Sequence, residues 1–252
     1  MQLTLIRHAT LRVEVAGHTL LVDPQLDPAG AREAVPNTPN PRRSPLVDLP
    51  APAEAVVAGL DAVLLTHTHQ DHWDATAREL IAHDTPIFCQ PADAEHLHAD
   101  GFIDARPVHA DAKLDELLIA RTDGRHGTGE IGDAMGIVCG FVLHAPGEPS
   151  VYIAGDTILC QDVRDAVEEH RPELIVVNGG GARFNTGDPI VMTNDDIVEL
   201  AREVPNATIV AVHLDTVSHA TETRGDLRAR LAQERLTGRV LVPEDGAEIP
   251  TQ

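Results

Sequence analysis

The chain has 252 residues, 42% of them hydrophobic, a length that suits one large domain or two small ones with a core of ordinary size. Asp and Glu outnumber Lys and Arg by 40 to 19, and the net charge of −21 disfavours nucleic acids and anionic membrane surfaces as partners. No run of about 18 apolar residues predicts a transmembrane helix, the first residues lack a signal-peptide pattern, and three cysteines without paired spacing fit a cytoplasmic protein.

The first fifth of the chain predicts short strands and then a long loop. Three runs rich in apolar and β-branched side chains predict strands at residues 3–8, 11–15 and 18–22. Asp23 and Pro24 end the third strand. Residues 24–52 are crowded with Pro, Asn and Asp and show no periodicity, which predicts a loop. Loops of this length in compact domains are functional or disordered, so we expect substrate specificity to reside here.

Strands and helices alternate after this loop. Apolar runs predict strands at residues 62–66, 86–89, 103–108, 117–122, 136–143, 151–154, 174–177, 208–212 and 240–242. Helices are predicted at residues 74–82, 92–98, 162–169, 193–203 and 222–235. Asp74 and Thr193 are the expected N-caps of two of them. A meander followed by βα units indicates a layered α/β fold, with helices outside two sheets, in a single domain over residues 1–252.

Histidine is unusually frequent, with 14 residues against 19 Lys and Arg together. His67, His69, Asp71 and His72 form an H-x-H-x-D-H pattern directly after the strand predicted at 62–66. Chance predicts roughly 0.004 occurrences of this pattern in a chain of this composition. His67 and His69 alternate on an extended segment and can point the same way, while the other two lie at the following turn. The motif therefore indicates a metal site rather than a solvated polar turn.

The segment HTHQDH resembles the signature of the metallo-β-lactamase fold superfamily. In that pattern a lone His, an Asp in a Gly-Asp-Thr turn and a final His follow, and here they are His126, Asp156 and His213. The sequences RHAT at 7–10 and LLVDP at 20–24 look like the opening of the branch that contains the ascorbate-6-phosphate lactonase-like proteins. The resemblance covers nearly the whole chain and implies a four-layer αββα sandwich.

The same resemblance implies a dinuclear metal site. The expected ligands are His67, His69 and His126 for the first metal, Asp71, His72 and His213 for the second, and Asp156 as the bridge. Nitrogen and oxygen donors suit two Zn²⁺ ions first, with Mn²⁺ or Fe as alternatives. His109 is a rival to His126, which is preferred because Gly127 and Gly129 allow a tight turn beside it. Cys160 is expected to be a bystander.

The implied function is a metal-dependent hydrolase that cleaves a small-molecule ester or lactone. Two cations sharing a water would lower its pKa, so that hydroxide attacks at neutral pH. Asp71 would orient the nucleophile or carry a proton, and His219 is a candidate proton donor to the leaving group. A histidine at a helix entrance explains His219 equally well. A phosphodiesterase or nuclease of the same fold, and a metal-binding protein without catalysis, are the alternatives, and a homo-oligomer is left open.

Other candidates keep two interpretations at this point. His8 is a candidate pocket residue, and Asp23 is either a supporting partner of the ligands or a strand-ending turn residue. The run 179–181, three glycines after a predicted strand, could present backbone N–H groups to an oxyanion or could be a flexible turn. The arginines that could bind an anion, and that are otherwise surface charges, are Arg42, Arg43, Arg183 and Arg224.

Overall fold

The computed structural model describes residues 1–251 and arranges their strands in two mixed sheets. The strands are β1 Gln2–Arg7, β2 Thr10–Val15, β3 His18–Val22, β4 Ala62–Leu65, β5 Ile87–Cys89, β6 Ala105–Pro107, β7 Asp111–Leu114, β8 Leu117–Asp123, β9 Cys139–His144, β10 Val151–Ile153, β11 Leu174–Asn178, β12 Thr208–Val212, β13 Val240–Leu241 and β14 Glu248–Ile249. The helices are α1 Ala53–Val56, α2 Ala75–Leu80, α3 Ala94–Ala99, α4 Gly129–Met135, α5 Gln161–His170, α6 Asn194–Glu203 and α7 Arg224–Glu234.

Each sheet has seven strands and joins an antiparallel half to a parallel half. The first sheet has the order β14-β1-β2-β3-β4-β5-β6, and the strands from β3 to β6 run parallel. The second has the order β13-β12-β11-β10-β9-β8-β7, and the strands from β10 to β13 run parallel. Parallel strands bring their carboxyl ends to one edge of a sheet, so the loops after them lie side by side.

The core has three layers of apolar contacts, which make the fold a four-layer αββα sandwich as expected. The strand β4 illustrates the cause, because successive side chains of a strand point to opposite faces. Ala62 and Leu64 pack between the two sheets, while Val63 and Leu65 pack under the helices that cover the first sheet. The helices α5, α6 and α7 cover the second sheet in the same way. Within residues 1–251, no helix is long and apolar enough to cross a membrane.

The predicted elements are found with modest shifts at their ends. Asp74 accepts a hydrogen bond from the amide of Ala77, and Thr193 forms a capping box with Asp196, which confirms both N-caps. The strand predicted from residue 136 begins at Cys139, and the strand predicted over 103–108 spans Ala105–Pro107. The sequence did not predict α1, α4, β7 or β14, because these short elements carry little apolar periodicity.

The long loop is ordered by contacts from the first sheet. Residues 24–52 contain no helix or strand, as expected, apart from an isolated bridge between Arg32 and Ser44. The fully buried guanidinium of Arg7 donates from Nη1 to the carbonyl of Val47 at 3.0 Å. Its Nη2 donates to the carbonyls of Gln25 and Asp27, each at 2.9 Å. One side chain thus fastens both ends of the loop beside the sheet edge.

Candidate metal centre

The carboxyl-end edges of both sheets meet at one place, and the chemically distinctive residues lie there. The H-x-H-x-D-H motif follows β4 of the first sheet, and His8 follows β1. His126, Asp156 and His213 follow β8, β10 and β12 of the second sheet. The motif therefore supplies one side of the centre, and three separate loops supply the other.

Local structure holds the motif in a tight turn. The amides of His72 and Trp73 both donate to the carbonyl of His69, at 2.9 and 2.8 Å. Trp73 is buried in the core under the first sheet, and Asp74 caps α2 directly afterwards. The motif is therefore anchored by a strand on one side and by a packed, capped helix on the other.

The backbone is left-handed at several positions of the centre. His8, Asp23 and His213 have φ angles of 61°, 43° and 67°, which are uncommon outside glycine and concentrate at functional sites. Gly155 has φ of 69°, and a Cβ there would lie 2.6 Å from the carbonyl oxygen of Cys139. Only glycine fits at this turn, which presents Asp156 to the centre.

The candidate ligand atoms form three groups, and the atoms within each group lie within 4.8 Å of one another. Shared residues connect the third group to the other two. The groups are His67 with His69 and His126, then His8 with Asp71, His72 and His213, and then His67 with His72 and Asp156. Oδ2 of Asp156 lies 3.3 Å from Nε2 of His72 and 3.5 Å from Nε2 of His126. Its Oδ1 lies 3.5 Å from Nε2 of His213. This carboxylate therefore lies between the first two groups.

The donor set fits divalent cations. Atoms bound about 2.1 Å from a tetrahedral Zn²⁺ lie roughly 3.4 Å from one another, close to the spacing around Asp156. The Nε2 atoms of His67, His72 and His213 are buried and have no hydrogen-bond partner. Buried polar atoms without partners are costly, and cations bound at the centre would supply the missing partners.

Neighbouring groups fix which nitrogen of each imidazole faces the centre. His72 donates from Nδ1 to Oδ2 of Asp23 at 2.9 Å, and the same carboxylate accepts from the hydroxyl of Thr66 at 2.7 Å. Nδ1 of His126 and of His213 faces the backbone carbonyls of other loops, at 2.8 and 3.3 Å. When Nδ1 carries the only ring proton, Nε2 presents a lone pair, which is the usual arrangement around histidine metal ligands.

Burial and neighbouring charges shift the pKa values of the residues in the centre in different directions. Burial lowers the pKa of His67 well below its ordinary value, so this imidazole is neutral at pH 7. Burial acts the same way on His72, but the carboxylates of Asp156 and Asp23 outweigh it and raise the pKa of His72 well above its ordinary value. Burial would raise the pKa of Asp71, yet His213, His72 and His8 lower it well below the usual range.

A cavity of about 260 Å³ opens onto the centre. His69, Asp71, His126 and Asp156 form its polar floor, and His219 lines its wall with Nδ1 buried and without a partner. The remaining wall is largely apolar and is lined by Val35, Met135, Ala182, Phe184, Ile190 and Val217. The predicted loop 24–52 contributes Arg32 and Glu33 to the same cavity. A small molecule with an apolar arm can therefore reach the centre from solvent.

The structure separates several sequence candidates from the centre. His109 is exposed, and His126 occupies the position for which the two were rivals. Cys160 is buried 3.6 Å from the hydroxyl of Thr157 and belongs to none of the ligand groups found within residues 1–251. The amides of Gly179 and Gly181 already donate to backbone carbonyls at 3.0 and 3.1 Å, so they are not free to bind an oxyanion.

The four arginines chosen from the sequence do not line this cavity, and a fifth does. Arg224 pairs with Asp215 and Asp245, and Arg43 pairs with Glu33. Arg32 was missed, although it lies in the loop predicted to be functional. Nothing local distinguishes Arg32 from the other arginines, because its position depends on how the loop packs.

Comparison with known proteins identifies close relatives over the full length. Residues 18–214 match the family model described as the β-lactamase superfamily domain. The chain is 37% identical to the UPF0173 protein YddR of Bacillus subtilis, over 98% of both chains. The crystal structure of a possible metal-dependent hydrolase from Veillonella parvula is 36% identical, with a TM-score of 0.96 over 100% of this chain and 99% of the other. The crystal structure of an isothiocyanate hydrolase from Delia radicum gut bacteria is 36% identical, with a TM-score of 0.95 over 99% of both chains.

Proposed function

The chain belongs to the β-lactamase superfamily and to its UPF0173 group of metal-dependent hydrolases, and from this premise we propose that it hydrolyses a small molecule at a dinuclear metal centre. The observation that carries the proposal is the set of buried, unpartnered imidazole nitrogens that opens onto a partly apolar cavity. The net charge of −21 supports a small substrate rather than a polynucleotide.

The grouping of donor atoms supports the ligand set that the resemblance implies. His67, His69 and His126 would hold one cation, Asp71, His72 and His213 would hold the other, and Asp156 is near both groups. Two divalent cations, Zn²⁺ first and Mn²⁺ or Fe²⁺ as alternatives, would supply hydroxide at neutral pH and would stabilise negative charge that develops on the substrate.

Two side chains have the protonation states that hydrolysis requires. Asp71 is ionised at neutral pH because its histidine neighbours lower its pKa, so its carboxylate can orient a water and accept a proton from it. Burial lowers the pKa of His219 below its ordinary value, so this imidazole is neutral and can relay a proton to the leaving group. His219 lines the cavity, and its Nδ1 is buried without a hydrogen-bond partner.

We propose an isothiocyanate, R–N=C=S, as the substrate class. Support comes from the full-length similarity to an isothiocyanate hydrolase and from the apolar wall, which suits an uncharged R group. Hydrolysis adds one water at the central carbon, breaks the C–N bond, and yields the amine and carbonyl sulfide. Both protons of the water end on the amine nitrogen, which is the transfer that Asp71 and His219 would assist.

An ester or lactone is the second candidate, favoured by the position of His219. A neutral imidazole at the cavity wall can accept a proton at one nitrogen and release one from the other, to a leaving alkoxide as well as to a leaving amine. The ester carbonyl carbon and the central carbon of an isothiocyanate are both electrophilic and open to attack by water. The two candidates therefore differ in substrate and share the centre.

The test is a substrate panel on protein of measured metal content. The panel contains benzyl isothiocyanate, an aryl ester, a lactone and a phosphodiester. The readouts are the release of amine, acid and phenol. We expect isothiocyanate turnover that chelation removes, that His67→Ala abolishes and that the exposed-site control His109→Ala leaves intact. Turnover of another compound in the panel, and not of the isothiocyanate, would replace the isothiocyanate as the proposed substrate class. Turnover that survives metal removal would overturn the proposed metal-dependent reaction.

A further inference from the structure

His8 lies in the centre but outside the set of metal ligands that the family resemblance implies. It follows β1, is completely buried, and has a left-handed backbone with φ of 61°. Its ring lies against that of His213 at an interplanar angle of 35°, with centroids 3.7 Å apart, and its carbonyl accepts from the amide of His213 at 2.8 Å. Judged by distance alone, His8 would be a fourth ligand beside Asp71, His72 and His213.

The hydrogen bonds of His8 distinguish it from the proposed ligands. Those of His72, His126 and His213 pair Nδ1 with an oxygen, which leaves the Nε2 lone pair facing the centre. Nδ1 of His8 is buried and has no partner. If His8 bound a cation through Nε2, its proton would sit on Nδ1 and would be a buried, unsatisfied donor. Such a donor is unfavourable, because it has lost its hydrogen bonds to water and gained no partner.

The opposite tautomer satisfies the donor. Nε2 of His8 lies 3.4 Å from Oδ2 of Asp71, so a proton on Nε2 can be donated to this carboxylate. Within residues 1–251, His8 provides the one side-chain N–H within hydrogen-bond distance of Asp71. Nε2 of His213 and of His72 lies farther away, at 3.8 and 4.0 Å. Asp156 has a counterpart, because Nδ2 of Asn178 donates to its Oδ1 at 2.7 Å.

We propose that His8 is a positioning residue that donates from Nε2 to Asp71, and that it is not a metal ligand. The assignment rests on the proposed function in so far as Asp71 binds a cation and orients water. The two carboxylates of the centre are then each held by one buried donor from another strand end, His8 for Asp71 and Asn178 for Asp156. A carboxylate with a fixed torsion presents one defined oxygen to the centre.

A matched pair of variants isolates the donor. His8→Gln places an amide N–H near the position of Nε2, whereas His8→Met has similar length and no donor. Both pay the same cost of a left-handed backbone, so the difference between them reports on the hydrogen bond. Removing a group that orients a metal ligand costs about 10–100-fold in metal affinity or activity. We expect His8→Met to lose this much in kcat with little change in KM, and His8→Gln to stay within about threefold of the parent.

Two readouts do not depend on turnover. Imidazole ¹⁵N chemical shifts of His8 in the Zn²⁺-loaded protein are expected to show a proton on Nε2, and the metal content of both variants is expected to equal that of the parent. A proton on Nδ1, or loss of one metal in both variants, would overturn the assignment in favour of ligation. Equal defects in both variants would overturn it in favour of packing alone. A parent protein that binds no second metal would instead contradict the proposed function, whatever the tautomer of His8.

Discussion

Asp23 shows how a residue outside the motif controls the proposed ligands. It ends β3, and the pairing of Val22 with Leu64 places it beside the start of the motif. Its carboxylate accepts from the amide and hydroxyl of Thr66 at 2.8 and 2.7 Å, and from His72 at 2.9 Å. The structure therefore favours the supporting role over that of a simple strand-ending turn.

We predict that Asp23→Asn weakens the second cation position. The substitution preserves shape but replaces an oxygen that accepts from His72 and Thr66 with an N–H donor. Metal affinity and kcat are expected to fall about 10–100-fold, measured by metal competition and steady-state assay. Asp84→Asn, at an exposed position, is the control. Unchanged metal affinity in Asp23→Asn would show that His72 is oriented without this carboxylate.

His72 sets the expected pH dependence of metal binding. In the metal-free protein its pKa is well above the ordinary value, so it is protonated at pH 7, whereas burial keeps His67 neutral and Asp71 is ionised. Metal binding must displace the His72 proton, so affinity rises with pH until the raised pKa is passed. Each proton released corresponds to about one decade of affinity per pH unit. Calorimetry in buffers of different ionisation enthalpy should detect this proton at pH 7, and an affinity that is flat from pH 6 to 8 would contradict the prediction.

The stability of the metal-free protein should change in the opposite direction. A histidine whose pKa is raised by folding stabilises the folded state below its unfolded-state pKa, and the contribution is lost as pH rises through the folded-state value. His72 is such a group. The difference in stability between the metal-bound and the metal-free protein should therefore increase as the pH rises. The cause is the buried imidazole of His72, which lies between two carboxylates.

At the scale of elements, the long loop depends on one buried side chain. Arg7 donates to carbonyls at both ends of the loop, and burial lowers the pKa of its guanidinium to about 10. Lysine has one compact ammonium group and cannot reproduce three bonds in the geometry of a planar guanidinium. The order of the loop, and with it the cavity wall formed by Arg32 and Val35, is therefore linked to β1.

We predict that Arg7→Lys loosens residues 24–52. Trypsin should cleave faster after the exposed Arg42 and Arg43, and the free energy of unfolding should fall by about 2 kcal/mol. Arg12→Lys is a matched control, because Arg12 lies on the neighbouring strand and is only partly buried. If tryptic cleavage of the two variants is equally fast, the loop is held by other contacts.

At the scale of the molecule, the centre joins the two sheets. The first sheet supplies the motif, His8 and Asp23, and the second supplies His126, Asp156 and His213. Bound cations would therefore add a link between two halves that meet through an apolar layer and a few hydrogen bonds, such as that between His213 and His8. They would also change the formal charge from −21 to about −17 by adding four positive charges.

We predict that chelation lowers the stability of the whole fold. A ligand at about 100 times its Kd stabilises a protein by about 2.7 kcal/mol, and a domain of this size loses about 2–4 °C of Tm for each kcal/mol. Removal of both cations should lower Tm by about 10 °C or more in a calorimetric scan. Restoration by Zn²⁺, Mn²⁺ or Fe²⁺, added singly, would rank the metals. An identical Tm with and without chelator would argue against cations that bridge the sheets.

The sequence determined what depends on neighbours along the chain. An apolar run predicted β4, Asp74 and Thr193 predicted the helix starts, and the spacing of the H-x-H-x-D-H motif pointed to a metal site. These signals are local because side-chain direction in a strand and capping of a helix act within a few residues. The resemblance added His126, Asp156 and His213, which the structure brings to the same edge.

The tertiary structure decided what depends on register and packing between distant segments. His8 faces Asp71 across 63 residues of sequence, Asp23 faces His72 across 49, and Arg32 reaches the cavity through the packing of its loop. The glycines at 179–181 look available in the sequence, yet two of their amides are used by the backbone. No local pattern encodes these contacts, because they exist only once the two sheets have stacked and each strand end has a fixed neighbour.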